Sequence, residues 1–387
     1  MKRLKSFVFG LALALLPMAG SQANEQNEQF VQEKAQKAFA NALAEYKIPG
    51  LIVGVTSNGK HYFYATGLAS RADKQPVTPD TLFELGSISK IFNATLAALA
   101  EQRGLLSLNE KAAHYLCADT CEIGNDMTLM DLATHHSGGL PLQVPDEVND
   151  TDSLVRWLAA WQPPQPGTRS YSNISIGLLG HITAQAFGMH YAQAAETMLF
   201  PALGLQSTWI NVPDQAMDRY AFGYDRKTDQ AIRVTPGVLD AEAYGVKSSA
   251  RDMLKLLDAE LGSTAADPEL AAAIQRTQEG QFKTTAFVQD MVWEQYPWPV
   301  DVETMESGNG YDFILHPQPV EKLNPALAPQ QSVILNKTGS TNGFGGYLAM
   351  LPGENLGVVV LANRNFPIQA RVKATYSLIE ALLADRE

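Results

Sequence analysis

The chain has 387 residues, 45% of them hydrophobic and 18% charged, a globular composition with room for one large or two medium domains. Disorder is excluded as the main state, because so apolar a chain can offset its ordering entropy by burial. The excess of 41 acidic over 29 basic residues repels phosphate backbones, so nucleic acid is not an expected partner.

The first residues form a distinct segment. Lys2, Arg3 and Lys5 precede an apolar run from Phe7 to Met18, and Ser21-Gln22-Ala23 offers a small-x-small cleavage site. This is the layout of a secretory signal peptide over residues 1–23, too short to serve as a membrane span. The mature chain is therefore expected to be exported and soluble, with no membrane contact once the leader is removed. Export gives Cys117 and Cys121 a meaning. In an oxidising compartment a short-loop disulfide is the favoured reading over free thiols, and a metal site would need more ligands than nearby His114 supplies.

From Asn24 to about Tyr46 the composition predicts a helix, stopped by Ile48-Pro49-Gly50. Leu51–Thr56, the turn Ser57-Asn58-Gly59 and His61–Ala65 read as a hairpin. Between about Phe83 and Tyr220 the pattern turns helical. Ile88, Ile91, Phe92, Thr95, Leu96 and Leu99 follow the spacing of one helical face, and Gly104 ends it. Further helices are predicted at Leu129–Thr134, Thr151–Ala160, Ile174–Ala186 and Tyr191–Leu199. Ser332–Leu335, Gly346–Met350 and Leu356–Leu361 return to strand character, with a turn at Pro352–Asn355, and a helix from about Gln369 to Asp385 closes the chain. Strand–turn–strand without a crossover helix implies antiparallel pairing. The fold class expected is α+β in two parts. Residues 24–82 and 226–387 form an antiparallel sheet flanked by helices, and residues 83–225 form a helical domain inserted between them.

Three short motifs could carry chemistry. In Ser87-Ile88-Ser89-Lys90 the serine opens the apolar helix and Lys90 follows one turn later on the same side. A serine hydroxyl is a weak nucleophile until a base takes its proton, and a desolvated lysine can have its pKa lowered enough to take part. In Tyr171-Ser172-Asn173 the phenol can accept protons if cations lie near it, and the amide offers both donor and acceptor. Lys337-Thr338-Gly339-Ser340 reads as an edge strand along a cleft, with a cation and a hydroxyl for a substrate carboxylate. There Gly339 admits close backbone approach. The Ser340 amide could pair with that of Ser87 as an oxyanion hole. Each motif alone is short enough to occur by chance. Their order is informative: a hydroxyl-x-Asn element lies 84 residues after a helix-opening Ser-x-x-Lys, and Lys-Thr-Gly follows a late strand.

On these motifs the chain resembles the class C serine β-lactamases over nearly its whole mature length. Gly138–Pro145, Leu239–Ser248 and Leu361–Pro367 with Arg371 extend the resemblance, and a Glu-x-x-Leu-Asn element expected of class A is missing. Ser172 stands where the family commonly has alanine, and Ile368 where many members have asparagine.

The resemblance implies a serine β-lactamase/penicillin-binding fold and hydrolysis of cephalosporins and penicillins through an acyl-serine. It further implies Ser87 as nucleophile and Lys90 and Tyr171 as sharers of its proton transfers. Asn173 and Gln143 would hold the substrate's side-chain amide, Lys337 and Thr338 would face the carboxylate region, and the Ser87 and Ser340 amides would hold the oxyanion. Tyr244 would wall the acyl group, and Asn365 would close the site at the end of the last strand. The expected partner is a small β-lactam, with no cofactor, and a monomer is the default. His135-His136 lacks a third ligand and a Glu-x-x-His context, so both read as structural, and no metal is expected. Within the same fold, a D-alanyl-D-alanine carboxypeptidase or an esterase could use the same residues. An acylated receptor would need a membrane-spanning segment, which the mature sequence lacks.

Overall fold

The structure is a computed structural model, and it describes residues 18–117, 127–264 and 267–384. The leader up to residue 17 and Cys121, the second cysteine of the expected bridge, lie outside the described residues. The first helix runs Met18–Glu45, so it begins upstream of the predicted Asn24 start.

A ten-stranded sheet dominates the molecule. From one edge to the other it runs Glu321–Leu327, Gly280–Lys283, Val288–Gln289, Glu294–Pro297, Val333–Ser340, Gly345–Leu351, Leu356–Ala362, Gly50–Ser57, Lys60–Ser70 and Gln75–Pro76. Every neighbouring pair is antiparallel. The two ends of the chain meet where Val53 pairs with Val360. Period-2 alternation sorts the side chains of these central strands. Val358, Val360, Leu51 and Val53 face the helices Met18–Glu45 and Ile368–Leu383, whereas Val359, Leu361 and Ile52 join the core on the opposite face. With both faces covered, Gly345–Leu351 and Leu356–Ala362 are buried along their whole length. That explains why the sequence there reads as a continuous apolar run rather than as a strict alternation.

The segment between the two halves of the sheet is mainly helical, with a small sheet of Leu82–Glu84, Lys247–Ser249 and Thr208–Trp209 beneath it. The helix Lys90–Gln102 differs from its predicted one-faced pattern, because every residue from Lys90 to Ala100 is buried. Other helices enclose it, a setting in which an all-round apolar helix is stable. Close approach to the helix Asn173–Ala186 depends on Gly180, where an added Cβ would lie 2.5 Å from the Asn93 amide nitrogen. The Tyr191–Leu199 stretch, predicted as one helix, is α-helical only over Tyr191–Ala194 and widens into a π-turn at Ala195–Leu199.

The strand carrying the third motif departs from expectation in an informative way. Val333–Ser340 is an interior strand of the sheet, not an edge. Its neighbour Glu294–Pro297 pairs only with Val333–Asn336, however, while Gly345–Leu351 accompanies it on the other side to Ser340. Residues 337–340 therefore project past one partner, and this free half-edge borders a cleft.

Candidate active site

The first motif sits on a tight turn. Gly86–Ser89 is a 3-10 turn that runs directly into Lys90–Gln102, which leaves Ser87 partly exposed at the helix entrance and Lys90 buried. Two glycines let this turn lie on the half-edge. A Cβ at Gly86, whose φ is +53°, would meet the Ser340 backbone nitrogen at 2.5 Å. One at Gly339 would meet the Leu85 carbonyl oxygen at 2.0 Å. The backbones of the Ser87 turn and of Ser340 are brought together by the absence of those two side chains.

Lys90 is fully buried without a carboxylate among its hydrogen-bond partners. Its Nζ donates to Ser87 Oγ at 3.0 Å, to Asn173 Oδ1 at 2.7 Å and to the Ala243 carbonyl at 2.8 Å. Burial pushes its pKa down to about 8, with Lys337 acting in the same direction and Tyr171 against it. The ammonium uses its three protons on neutral oxygens, one of them the serine hydroxyl.

Tyr171 lies between two lysines. Lys337 Nζ donates to its phenolic oxygen at 3.3 Å, and the Lys90 and Lys337 ammonium groups lie 5.4 and 5.2 Å from its ring centroid. Burial alone would push the phenol up. Lys337, Lys90 and the hydrogen bond with Ser87 outweigh it and hold the pKa at about 8. Behind the ring, His135 packs at a tilt of 44° with ring centroids 4.4 Å apart, and it accepts the Ser172 backbone N–H at 3.3 Å. Burial and the cations Arg169, Lys90 and Lys337 hold this imidazole well below its usual pKa, so it is neutral near pH 7. His135 is thus a packing partner of Tyr171. His136 pairs instead with Asp131 at 2.8 Å, and no cluster able to hold a metal ion occurs among the described residues.

Ser172 caps the helix Asn173–Ala186 by accepting the Ser175 N–H, and it donates to the Pro141 carbonyl at 2.6 Å. These bonds, with Asn173 N–H to Leu142 O at 2.9 Å, fix the loop that carries Gln143. The Asn173 amide then bridges Lys90 to Gln143, donating to Gln143 Oε1 at 3.2 Å.

The family model for β-lactamases matches residues 35–383. A class C β-lactamase from Rhodobacter sphaeroides is 67% identical in sequence, with a TM-score of 0.88 over 90% of this chain and 99% of that one. The chain belongs to the class C β-lactamase family. A β-lactamase of Pseudomonas fluorescens is 41% identical over 342 residues, 88% of this chain and 95% of its own. A structure described as a β-lactamase/D-alanine carboxypeptidase from Pseudomonas syringae is 44% identical, covering 90% and 98% with a TM-score of 0.87. A class C β-lactamase in complex with cefoxitin is 38% identical, covering 92% and 99% with a TM-score of 0.88.

Around Ser87 and the residues gathered about it, the cleft has two lobes that share Ser87, Gln143, Asn173, Ser340 and Asn365. The inner lobe, of about 190 Å³, is lined by Tyr171, Lys337, Thr338, Tyr311 and Ile368. The outer lobe, of about 340 Å³, is lined by Tyr244, Val234, Thr235, Thr341 and Asn342. Tyr244 therefore borders a different lobe from Tyr171 and Lys337. Asn365 is held by Arg371, whose Nη2 donates to its Oδ1 at 2.5 Å and whose Nη1 donates to Ser340 Oγ at 3.0 Å. Three positions were not legible as site residues in the sequence. The Ala243 carbonyl acts through its backbone, so no side-chain pattern marks it. Arg169 and Glu294, 3.5 Å apart and both buried behind Tyr171 and Lys337, are 125 residues apart in the chain.

Proposed function

We propose that this chain is a serine β-lactamase that opens the four-membered amide ring of cephalosporins and penicillins through an acyl-Ser87 intermediate. The observation that carries this reading is the Lys90 ammonium 3.0 Å from Ser87 Oγ, desolvated and held by neutral oxygens alone. Ser87 attacks the lactam carbonyl, and its hydroxyl proton passes to the coupled Lys90–Tyr171 pair. The Ser87 and Ser340 amides receive the oxyanion, a role that the close backbone approach at Gly86 and Gly339 supports. When the C–N bond breaks, the pair returns the proton to the ring nitrogen. A water then attacks the ester, the pair accepts its proton, and Ser87 recovers its own.

Asn173 and Gln143 are suited to the side-chain amide of the substrate, because their own amides are already aligned by the bond between them. Lys337 and Thr338, on the free half-edge, suit its carboxylate, and Asn365 and Tyr244 border the site. The cefoxitin complex of a class C relative supports a β-lactam as the ligand class. The leader over residues 1–23 supports export to the periplasm, where a Cys117–Cys121 bridge would form, and we read the enzyme as a monomer. No helix among the described residues is long and apolar enough to cross a membrane.

A time course with a chromogenic cephalosporin, followed by mass measurement of the protein, tests the reading. Expected are sustained release of opened product and a transient acyl adduct on the peptide containing Ser87. Stoichiometric acylation without release would favour the carboxypeptidase reading, and no acylation at all would overturn both.

A further inference from the structure

One buried carboxylate outside the catalytic cluster gathers hydrogen bonds from three separate parts of the chain. Glu84 ends the strand Leu82–Glu84, three residues before Ser87, and is only 2% exposed. Its Oε1 accepts the Tyr220 hydroxyl at 2.7 Å and the Val234 backbone N–H at 2.7 Å. Its Oε2 accepts the Thr341 hydroxyl at 2.6 Å. None of these donors is charged, and both carboxylate oxygens are engaged. The strand itself is fixed from below by pairing of Glu84 with Lys247 and by Leu85 N–H to Val246 O at 2.9 Å.

Two of the three donors, Val234 and Thr341, come from walls of the outer lobe. Thr341 follows the half-edge residue Ser340, and Val234 lies on the segment opposite; both line the lobe. Upstream of Val234 that segment is pinned a second time, where Asp229 binds Arg71 and Arg364. Downstream, Thr235, Pro236 and Gly237 are exposed, and the chain is buried again only at Leu239. The rim of the lobe is thus a short exposed span, hung between Glu84's hold on Val234 and the buried Leu239. Gly237 brings it against Tyr244, with an added Cβ 3.4 Å from that hydroxyl.

We propose that Glu84 is a positioning residue that sets the width of the outer lobe by tying Val234 to Thr341, and thereby sets the bulk of the acyl side chain the enzyme accepts. The inference rests on the β-lactamase reading above. A carboxylate suits the task, since its two oxygens can accept in opposite directions while a strand holds it rigidly. Loss of one arm frees the rim without touching Lys90, Tyr171 or Lys337.

The test compares two cephalosporins that differ only in the acyl substituent, one an unbranched acetyl type and the other a bulky branched aryl type. Glu84→Ala, Glu84→Gln and Tyr220→Phe are assayed for kcat and KM on both, with thermal unfolding as a check on folding. In Glu84→Gln, whose amide nitrogen cannot accept one of the two rim bonds, the kcat/KM ratio of bulky to compact substrate should rise about fivefold, the scale of one lost hydrogen bond, mainly through KM, whereas Tyr220→Phe, which leaves both rim bonds in place, should stay within about twofold of wild type. Glu84→Ala should move the ratio further, and Glu84→Gln, which keeps one acceptor, should restore part of the wild-type value. In all three, kcat on the compact substrate should stay within about twofold of wild type. If Glu84→Ala fails to fold, Glu84→Gln decides alone. A ratio that is unchanged, or shifted toward the compact substrate, in a folded Glu84 variant overturns the proposal. Wild-type protein that turns over neither substrate would instead overturn the functional reading on which it rests.

Discussion

Lys90 and Glu84 lie six residues apart in the chain, both are buried, and neither has a hydrogen-bonded partner of opposite charge. Each is instead surrounded by three neutral hydrogen-bonding groups. The difference lies in what those groups are. Two of the Lys90 acceptors are rigid, the Asn173 amide and the Ala243 carbonyl, but the third is a serine hydroxyl that opens on the cleft. The Glu84 donors are all parts of the scaffold. A buried charge bonded to a reactive group and held near its titration point can exchange a proton. One whose partners are all structural serves only to position them. Burial lowers the Lys90 pKa, and the proposed mechanism makes use of that, whereas Glu84 is proposed only to position its donors.

Ser87→Ala is the most severe way to break the comparison. It removes the one reactive partner of Lys90, and cephalosporin hydrolysis should fall by at least about 10⁴-fold with the unfolding midpoint nearly unchanged. Retained turnover would remove Ser87 as nucleophile.

Lys90→Met should lower kcat/KM by about 10³-fold, and Tyr171→Phe by about 10²-fold or more, measured as steady-state hydrolysis. The Lys90 substitution should not destabilise the fold at pH 7. With a folded pKa of about 8 against 10.5 for free lysine, the folded state binds protons less readily than the unfolded chain does. The wild-type protein therefore loses stability as pH falls from 10.5 to 8, by about 3 kcal/mol in total, and below pH 8 bears the whole penalty. An apolar side chain of similar length escapes it. A marked fall in the denaturation midpoint of Lys90→Met would contradict the view that this cation is kept for chemistry at the expense of stability.

The pH–rate profile sharpens the same point. Lys90 and Tyr171 both lie near 8, so they titrate as a pair. As pH rises through 8 the pair loses a proton and becomes able to accept that of Ser87, so kcat/KM should rise over pH 7–9. Tyr171→Phe should displace this limb. A flat profile would show that the pair carries no proton in the reaction.

The smallest effect on turnover concerns a carboxylate remote from the cleft. Burial pushes Glu260 up to about 8, opposed by its bond from Gln278. Its contribution to stability is complete below about pH 4.5 and is lost as pH rises through 8. Unfolding midpoints of wild type should decline over that interval, and Glu260→Gln, which keeps the acceptor for Gln278, should flatten the decline without altering turnover.

Residues close in sequence were the legible part of the site. Ser87 and Lys90 share one turn and its helix, Ser172 caps the helix that Asn173 opens, and Lys337 to Ser340 lie on one strand. The less legible parts depend on what the motifs rest against. The helix behind Ser87 has a one-sided pattern in sequence yet is enclosed on all sides. The third motif looked like an edge strand because its last residues do lack a partner on one side, a fact set by where Glu294–Pro297 stops. Arg169, Glu294 and Glu84 become site-related only through contacts spanning more than a hundred residues.

Local order thus decided which groups could react. Hydrophobic periodicity, capping and glycine placement act over a few residues, and they suffice to present a serine, a lysine and a phenol at element ends. How readily those groups exchange a proton was decided by the tertiary structure alone. A pKa near 8 arises for the lysine mainly from water excluded by distant segments, and for the tyrosine from the charges of Lys337 and Lys90, which outweigh that exclusion. Desolvation and Coulomb fields depend on distance in space, and no stretch of sequence contains that distance.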